Sequence, residues 1–267
     1  MKNGSVQSAA LRAEGVSLGY DRKQVVSNLS LEIAPGAVTA IIGPNGCGKS
    51  TLLRGLGRLL KPSTGQVYLD DKPIGSISTR QVATRLSILP QTPAAPSGLT
   101  VADLVARGRH PRQHWYQQFS KTDESAVYEA LAATDIADLA DVPIEELSGG
   151  QRQRAWISMV LAQESEILLL DEPTTYLDLA HQVEVLQLVE RLNRELGRTI
   201  LMVLHDISLA ARYSDHMVAM KEGAIVASGT PQDVVTEPQL LEIFGLEASV
   251  VAEPVAGRPH VIPLAAR

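Results

Sequence analysis

The sequence predicts an α/β fold: a largely parallel sheet with a β-rich N-terminal edge and an inserted α-helical subdomain. Three observations predict it. From Val38 onward, short apolar runs of strand length alternate with helical stretches. The residues before Val38 read as strands with no helix between them. From Pro93 to Pro143 the pattern changes to short helices separated by Pro and Gly, with charge on their exposed faces. With 267 residues, 45% of them apolar, the chain can bury one large core that carries a smaller subdomain.

The elements follow in order. Strands are expected at 10–18, 25–33, 38–42, 66–69 and 86–89, punctuated by Gly36 and by the adjacent Asp70 and Asp71. A helix is expected over 48–59, because Leu52, Leu53, Leu56 and Leu60 recur at helical spacing. After the helical insertion come a helix at 149–162, a buried strand at 167–170 and a long amphipathic helix at 180–196. A strand at 199–204, a helix at 207–212 and strands at 217–220 and 225–227 complete the alternation. From Pro231 the chain reads as two short helices and one small tail strand.

Composition excludes several functions. Lysine and arginine number 24 against 30 aspartates and glutamates, and the net charge of −6 offers nucleic acid or anionic lipid no long-range attraction. A local basic stretch could still attract either, but no nucleic-acid partner is expected. The single cysteine, Cys47, rules out an intramolecular disulfide and a cysteine zinc cluster, and fits a reducing compartment. No apolar run reaches the roughly 18 residues of a membrane span. The first 15 residues contain a lysine but no apolar core of signal length, so a cytosolic chain is expected.

The chemistry begins at "GPNGCGKST", residues 43–51, directly after an expected buried strand. The spacing Gly43, four residues, Gly48, Lys49, Ser50 is that of a phosphate-binding loop. Glycines let successive backbone N–H groups converge on one anion, and the helix that follows adds the positive end of its dipole. Lys49 supplies a full charge to the terminal phosphates and the Ser50 hydroxyl a ligand for Mg²⁺. "ILLLDEPTTYLD" adds Asp171 and Glu172 where another apolar strand ends, and ligands collect at the carboxyl ends of strands in a parallel sheet. Alone, two acids there are more often a solvated turn. Beside a phosphate loop, Asp171 is assigned to the metal and Glu172 to the attacking water.

Two further polar residues end strands. A lone histidine such as His205 in "TILMVLHD" is more often structural, but its place on the same sheet edge as Asp171 points to a γ-phosphate contact. Gln91 in "SILPQ" is balanced between an ordinary polar terminus and a group that reaches metal or water. "ELSGGQRQR" contains a capping box, Ser148 with Gln151, which alone says only that a helix starts there. Two glycines just inside that start, Gly149 and Gly150, cost about 1 kcal/mol each relative to alanine. They expose amides, and they make a second anion-binding turn, one too many for a single triphosphate in one protomer.

With that string the chain resembles the nucleotide-binding subunits of ABC transporters, over residues 11–262. The resemblance implies a P-loop NTPase core of the ABC type in two parts, 1–92 and 156–230, with a helical signature subdomain at 93–155 and a tail at 231–267. It implies that ATP and Mg²⁺ bind at the Walker A loop, Gly43, Pro44, Asn45, Gly46, Cys47, Gly48, Lys49, Ser50 and Thr51. It makes 167–172 the Walker B strand with catalytic Glu172, and Ser148, Gly149, Gly150 and Gln151 the signature loop. Gln91 matches the Q-loop and, with Ser50 and Asp171, the metal ligands; Asp178 matches the D-loop, and His205 the switch histidine. Tyr20 matches the aromatic that stacks on adenine, although an isolated tyrosine is more often edge packing. Tyr176 departs from the small polar residue that many members carry.

The family's arrangement implies two copies paired head to tail, each signature loop closing over the partner's nucleotide, and coupled to integral-membrane permease subunits on the cytoplasmic face of the bacterial inner membrane. A periplasmic or surface substrate-binding protein would be an indirect partner. "LTVADLVARGRHPRQHW", "LLDEPTTYLDLAHQ" and "EPVAGRPHVIPL" are similar to importers of ferric siderophores, especially the ferric enterobactin type. Ferric citrate importers are nearly as similar, haem and cobalamin importers less so. Arg107, Arg109, His110, Arg112, His114, Trp115 and Tyr116 form a cationic and aromatic cluster that is either solvated surface or a permease dock; docking is the expectation. A GTPase or small-molecule kinase would leave LSGGQ unexplained. A soluble cassette acting on ribosomes or DNA is the competitor from another class.

Overall fold

The computed structural model describes residues 10–21, 23–113 and 119–266. Strands β1 (Leu11–Tyr20), β2 (Lys23–Ile33), β4 (Thr64–Leu69) and β5 (Lys72–Pro73) form an antiparallel sheet in the order β2-β1-β4-β5. A second sheet has the order β10-β9-β3-β8-β7-β6. Its members are β3 (Val38–Ile42), β6 (Leu86–Leu89), β7 (Ile167–Asp171), β8 (Thr199–Val203), β9 (His216–Lys221) and β10 (Ala224–Gly229). All neighbours in it run parallel except β10, which closes the edge as a hairpin with β9.

Every residue of β3, β7 and β8 is buried, as continuous apolar runs require in a sheet covered on both faces. Alternation sends the side chains two ways. Ile41, Ile167, Leu169 and Leu201 face the antiparallel sheet and α1 (Lys49–Leu56). Ala40, Ile42, Leu168, Leu170 and Met202 face the helices α5 (Gly149–Ala162), α6 (Leu179–Leu196) and α7 (Ile207–Tyr213). Register then places the chemistry. Ile41 pairs with Val203, Val203 with Asp171 and Leu170 with Leu89, so the carboxyl ends of β3, β8, β7 and β6 stand level along one edge.

The helical insertion consists of α3 (Val101–Ala106) and α4 (Lys121–Ala133), packed against α5. Position 155 falls inside α5, which carries the insertion continuously into the core. Three expectations change. Helix α1 stops at Leu56 rather than near 59, because Gly57 sits against β6, where a Cβ would come within 1.9 Å of Ile88 Cδ1, and Arg58 takes a left-handed turn (φ 61°). Helix α2 (Thr79–Arg85) was not expected; a Ser78–Gln81 capping box starts it. After α8 (Pro231–Val234) and α9 (Glu237–Phe244), the tail is a hairpin of β11 (Leu246–Ala252) and β12 (Pro259–Ala266), not a single strand. Among the described residues, no helix is long and apolar enough to cross a membrane.

Candidate functional site

The loop from β3 to α1 folds as a cradle for geometric reasons. Gly43 has φ 153°, and a Cβ there would stand 2.2 Å from the Met220 carbonyl of β9. Gly48, at φ 106°, precedes α1 and gives it no side-chain cap, which leaves the first-turn amides to an external acceptor. The Lys49 ammonium curls back over the loop and donates to the carbonyls of Gly43 at 2.8 Å and Pro44 at 3.0 Å. Cys47 is a wall of this turn: its carbonyl accepts from Gly223 N–H at 3.0 Å, and burial pushes its thiol pKa up. Asn45, Gly46, Gly48, Lys49, Ser50 and Thr51 line a cleft of about 430 Å³ together with Val25, Gln91, Glu172, Thr175 and His205.

The two carboxylates have different surroundings. Asp171, buried at the end of β7, accepts a 2.8 Å hydrogen bond from Ser50 Oγ. Burial raises its pKa, with the Ser50 hydrogen bond pulling the other way. Glu172 has φ 53°, a left-handed conformation that costs a non-glycine residue about 1–2 kcal/mol and turns its side chain into the cleft. Its Oε2 accepts from Gln91 Nε2 at 2.5 Å and from Thr175 Oγ1 at 3.0 Å, while Oε1 lies 2.7 Å from His205 Nε2. Groups from the ends of three strands thus meet on one carboxylate. Thr175 is the member that sequence reasoning missed; its only signal is a hydroxyl three residues after Glu172.

Ser50 and Asp171 are hard oxygen donors, and no cluster of three or more His, Cys, Asp or Glu able to hold a metal occurs among the described residues. That donor set fits a cation such as Mg²⁺, which takes one or two protein ligands and completes its shell with phosphate oxygens and water. Tyr20 ends β1 and is 42% exposed; the Arg54 guanidinium lies 5.9 Å from its ring centroid. Val25, rather than Tyr20, lines the cleft.

The second glycine turn stands apart from these residues. Ser148 caps α5 by accepting from Gln151 N–H at 3.3 Å, and the Gln151 side chain returns a bond to Ser148 N–H at 3.0 Å. Asp178 caps α6, accepting from His181 N–H at 3.0 Å, and these hydrogen bonds hold its pKa below the usual carboxylate range. None of Ser148, Gly149, Gly150, Gln151 and Asp178 lines the cleft. Tyr176, just before Asp178 in sequence, is 92% exposed.

The docking expectation fails at Arg109. Its guanidinium is buried, donating to Asp123 Oδ1 at 2.9 Å, to the Ala162 carbonyl at 2.6 Å and to Glu164 Oε2 at 2.7 Å. It locks the insertion to the end of α5. Arg112 bonds the carbonyls of Gln163 and Glu164, and His114, Trp115 and Tyr116 lie outside the described residues.

Comparison with known proteins agrees with this geometry. The ABC transporter family model matches residues 26–175. The ferric enterobactin transport ATP-binding protein of Escherichia coli K12 is 52% identical over 256 residues, 96% of this chain and 94% of that protein. The iron(3+)-hydroxamate import ATP-binding protein of Bacillus subtilis 168 is 49% identical over 250 residues, 94% of this chain and 93% of that protein. Among solved structures, a dimeric bacterial ABC transporter cassette aligns with a TM-score of 0.72 at 28% identity, covering 82% of this chain and 98% of its own. With the family model spanning more than half of the chain and relatives about half identical along nearly all of it, this chain belongs to the ABC transporter family, among its ATP-binding subunits.

Proposed function

We propose that this chain hydrolyses ATP to drive import of a ferric siderophore through partner permease subunits. The observation that carries the catalytic part is the convergence of Gln91, Thr175 and His205 on Glu172, in the same cleft as Lys49 and Ser50. The amides at 43–48 and the Lys49 ammonium bind the triphosphate. Ser50 and Asp171, with Gln91, would hold Mg²⁺, whose charge would offset the negative charge of the phosphates. Glu172 orients the attacking water and takes its proton; His205 holds Glu172 in place and reaches toward the γ-phosphate; Tyr20 stacks on the adenine.

Ser148, Gly149, Gly150 and Gln151 lie off the chain's own cleft, which supports a head-to-tail pair in which they close over the partner's nucleotide, with Asp178 beside them. Such a pair sits against permease subunits on the cytoplasmic face of the membrane. Siderophore cargo is supported by two relatives named for ferric enterobactin and iron(3+)-hydroxamate, each about half identical over nearly the whole chain. The cargo touches the permease and its binding protein rather than this chain.

Glu172→Gln should retain ATP binding and lose turnover by about 10²–10⁴-fold. Undiminished hydrolysis would remove Glu172 from its role. For the cargo, a strain deleted for this gene is grown under iron limitation with defined siderophores supplied singly. Growth lost on one class and restored by the gene identifies the substrate; growth unimpaired on every ferric siderophore would refute this cargo.

A further inference from the structure

The turns at 148–151 and 178–181 touch within one chain. A Cβ on Gly150 would stand 2.4 Å from His181 Cδ2 and 3.2 Å from its Nε2, so the imidazole already fills that place. A Cβ on Gly149 would meet only Leu177 Cδ2, at an ordinary 3.5 Å. Display of amides at a helix start asks for small residues at both positions, but only Gly150 is denied a side chain by a residue of its own chain. The ring is fixed from its other side: His181 Nδ1 lies 2.7 Å from Asp178 Oδ1, the same oxygen that caps α6. One turn along both helices the contact repeats, with Arg154 Nη2 donating to Glu184 Oε2 at 2.9 Å.

We propose that His181 is a positioning residue. Packed between Asp178 and Gly150, it ties the turn that opens α6 to the turn that opens α5, so that neither moves without the other and both meet a partner's nucleotide as one surface. His181 is not a wall of the chain's own cleft, so it acts through Gly150 and Asp178 and not on the nucleotide its own chain holds. The inference rests on the proposed role of 148–151 in closing over the partner's nucleotide.

The test is a double-mutant cycle in the full-length Glu172→Gln protein. Dimerisation with magnesium ATP is measured by analytical ultracentrifugation for His181→Ala, Gly150→Ala and the double variant, and the monomer's nucleotide affinity is measured with a fluorescent ATP analogue. His181→Ala is expected to leave monomer affinity within about twofold and to weaken dimerisation about tenfold. Gly150→Ala is expected to weaken dimerisation further. The double variant should fall short of the product of the two losses by about fivefold or more, since the new methyl no longer meets a ring. Any direct weakening of phosphate binding by the Gly150→Ala methyl is common to both backgrounds and cancels. His181→Asn, which keeps a donor toward Asp178, should recover part of the loss. A ring that only supports the fold would lower the thermal stability of His181→Ala and leave its dimerisation unchanged; that result, or a fall in monomer affinity as large as the fall in dimerisation, overturns the inference alone. A Gly150→Ala protein that dimerises as well as its parent overturns the role proposed for 148–151 as well.

Discussion

Replacing Arg109 by alanine separates a structural ion pair from a docking residue. The Arg109 side chain is 4% exposed and that of Asp123 9%, whereas Glu164 is 43% exposed. Removing the guanidinium leaves Asp123 buried with only its Ser120 hydrogen bonds and strips a donor from the Ala162 carbonyl. Losing one partner of a buried pair costs about 3–5 kcal/mol. Glu164 is free to resolvate and adds little, so the low end, about 3 kcal/mol, is expected. Urea unfolding of the full-length protein should show that loss, with Tm lower by about 6–12 °C. Arg109→Lys keeps the charge but cannot fork to three acceptors, and should fall between. A stability loss below about 1 kcal/mol together with abolished transport would refute the structural assignment and return Arg109 to a partner-facing role.

Other outcomes follow from the same geometry. Burial works to raise the Asp123 pKa, but hydrogen bonds from Arg109 and Ser120 prevail and hold it below the ordinary value. A depressed folded-state value means its stabilisation is complete above about pH 4 and is lost as pH falls through the folded value; Asp123→Asn should flatten the stability–pH slope in that acid range and leave a uniform loss above it. Tyr20→Ala should weaken ATP binding by about 1–3 kcal/mol, the worth of one stacked base, and leave tripolyphosphate affinity unchanged in calorimetry. Unchanged ATP affinity would reduce Tyr20 to edge packing.

What the sequence disclosed was chemistry confined to a few consecutive residues. Gly43, Gly48 and Lys49 were legible in their spacing, because the turn they make is local: both glycines take positive φ and Lys49 reaches back to the Gly43 carbonyl. The level strand ends that gather Gln91, Glu172 and His205 were also readable, since apolar runs ending in a polar residue imply a parallel sheet edge. Arg109 was misread because a charge in a sequence carries no sign of its partners, which lie 14 and 55 residues away. Thr175 was missed for a similar reason: only the left-handed turn at Glu172 brings that hydroxyl onto the carboxylate. The tail hairpin was half seen, because strand β11 has no clean alternation and is mostly half-buried.

A complete site assembled from two copies of the chain is tested most directly by the mass of the Glu172→Gln protein in saturating magnesium ATP. Light scattering should give twice the mass of the chain, reverting to the monomer when Ser148→Arg blocks the second glycine turn. A Glu172→Gln protein that binds ATP and stays monomeric, alone and with its permease, would contradict it.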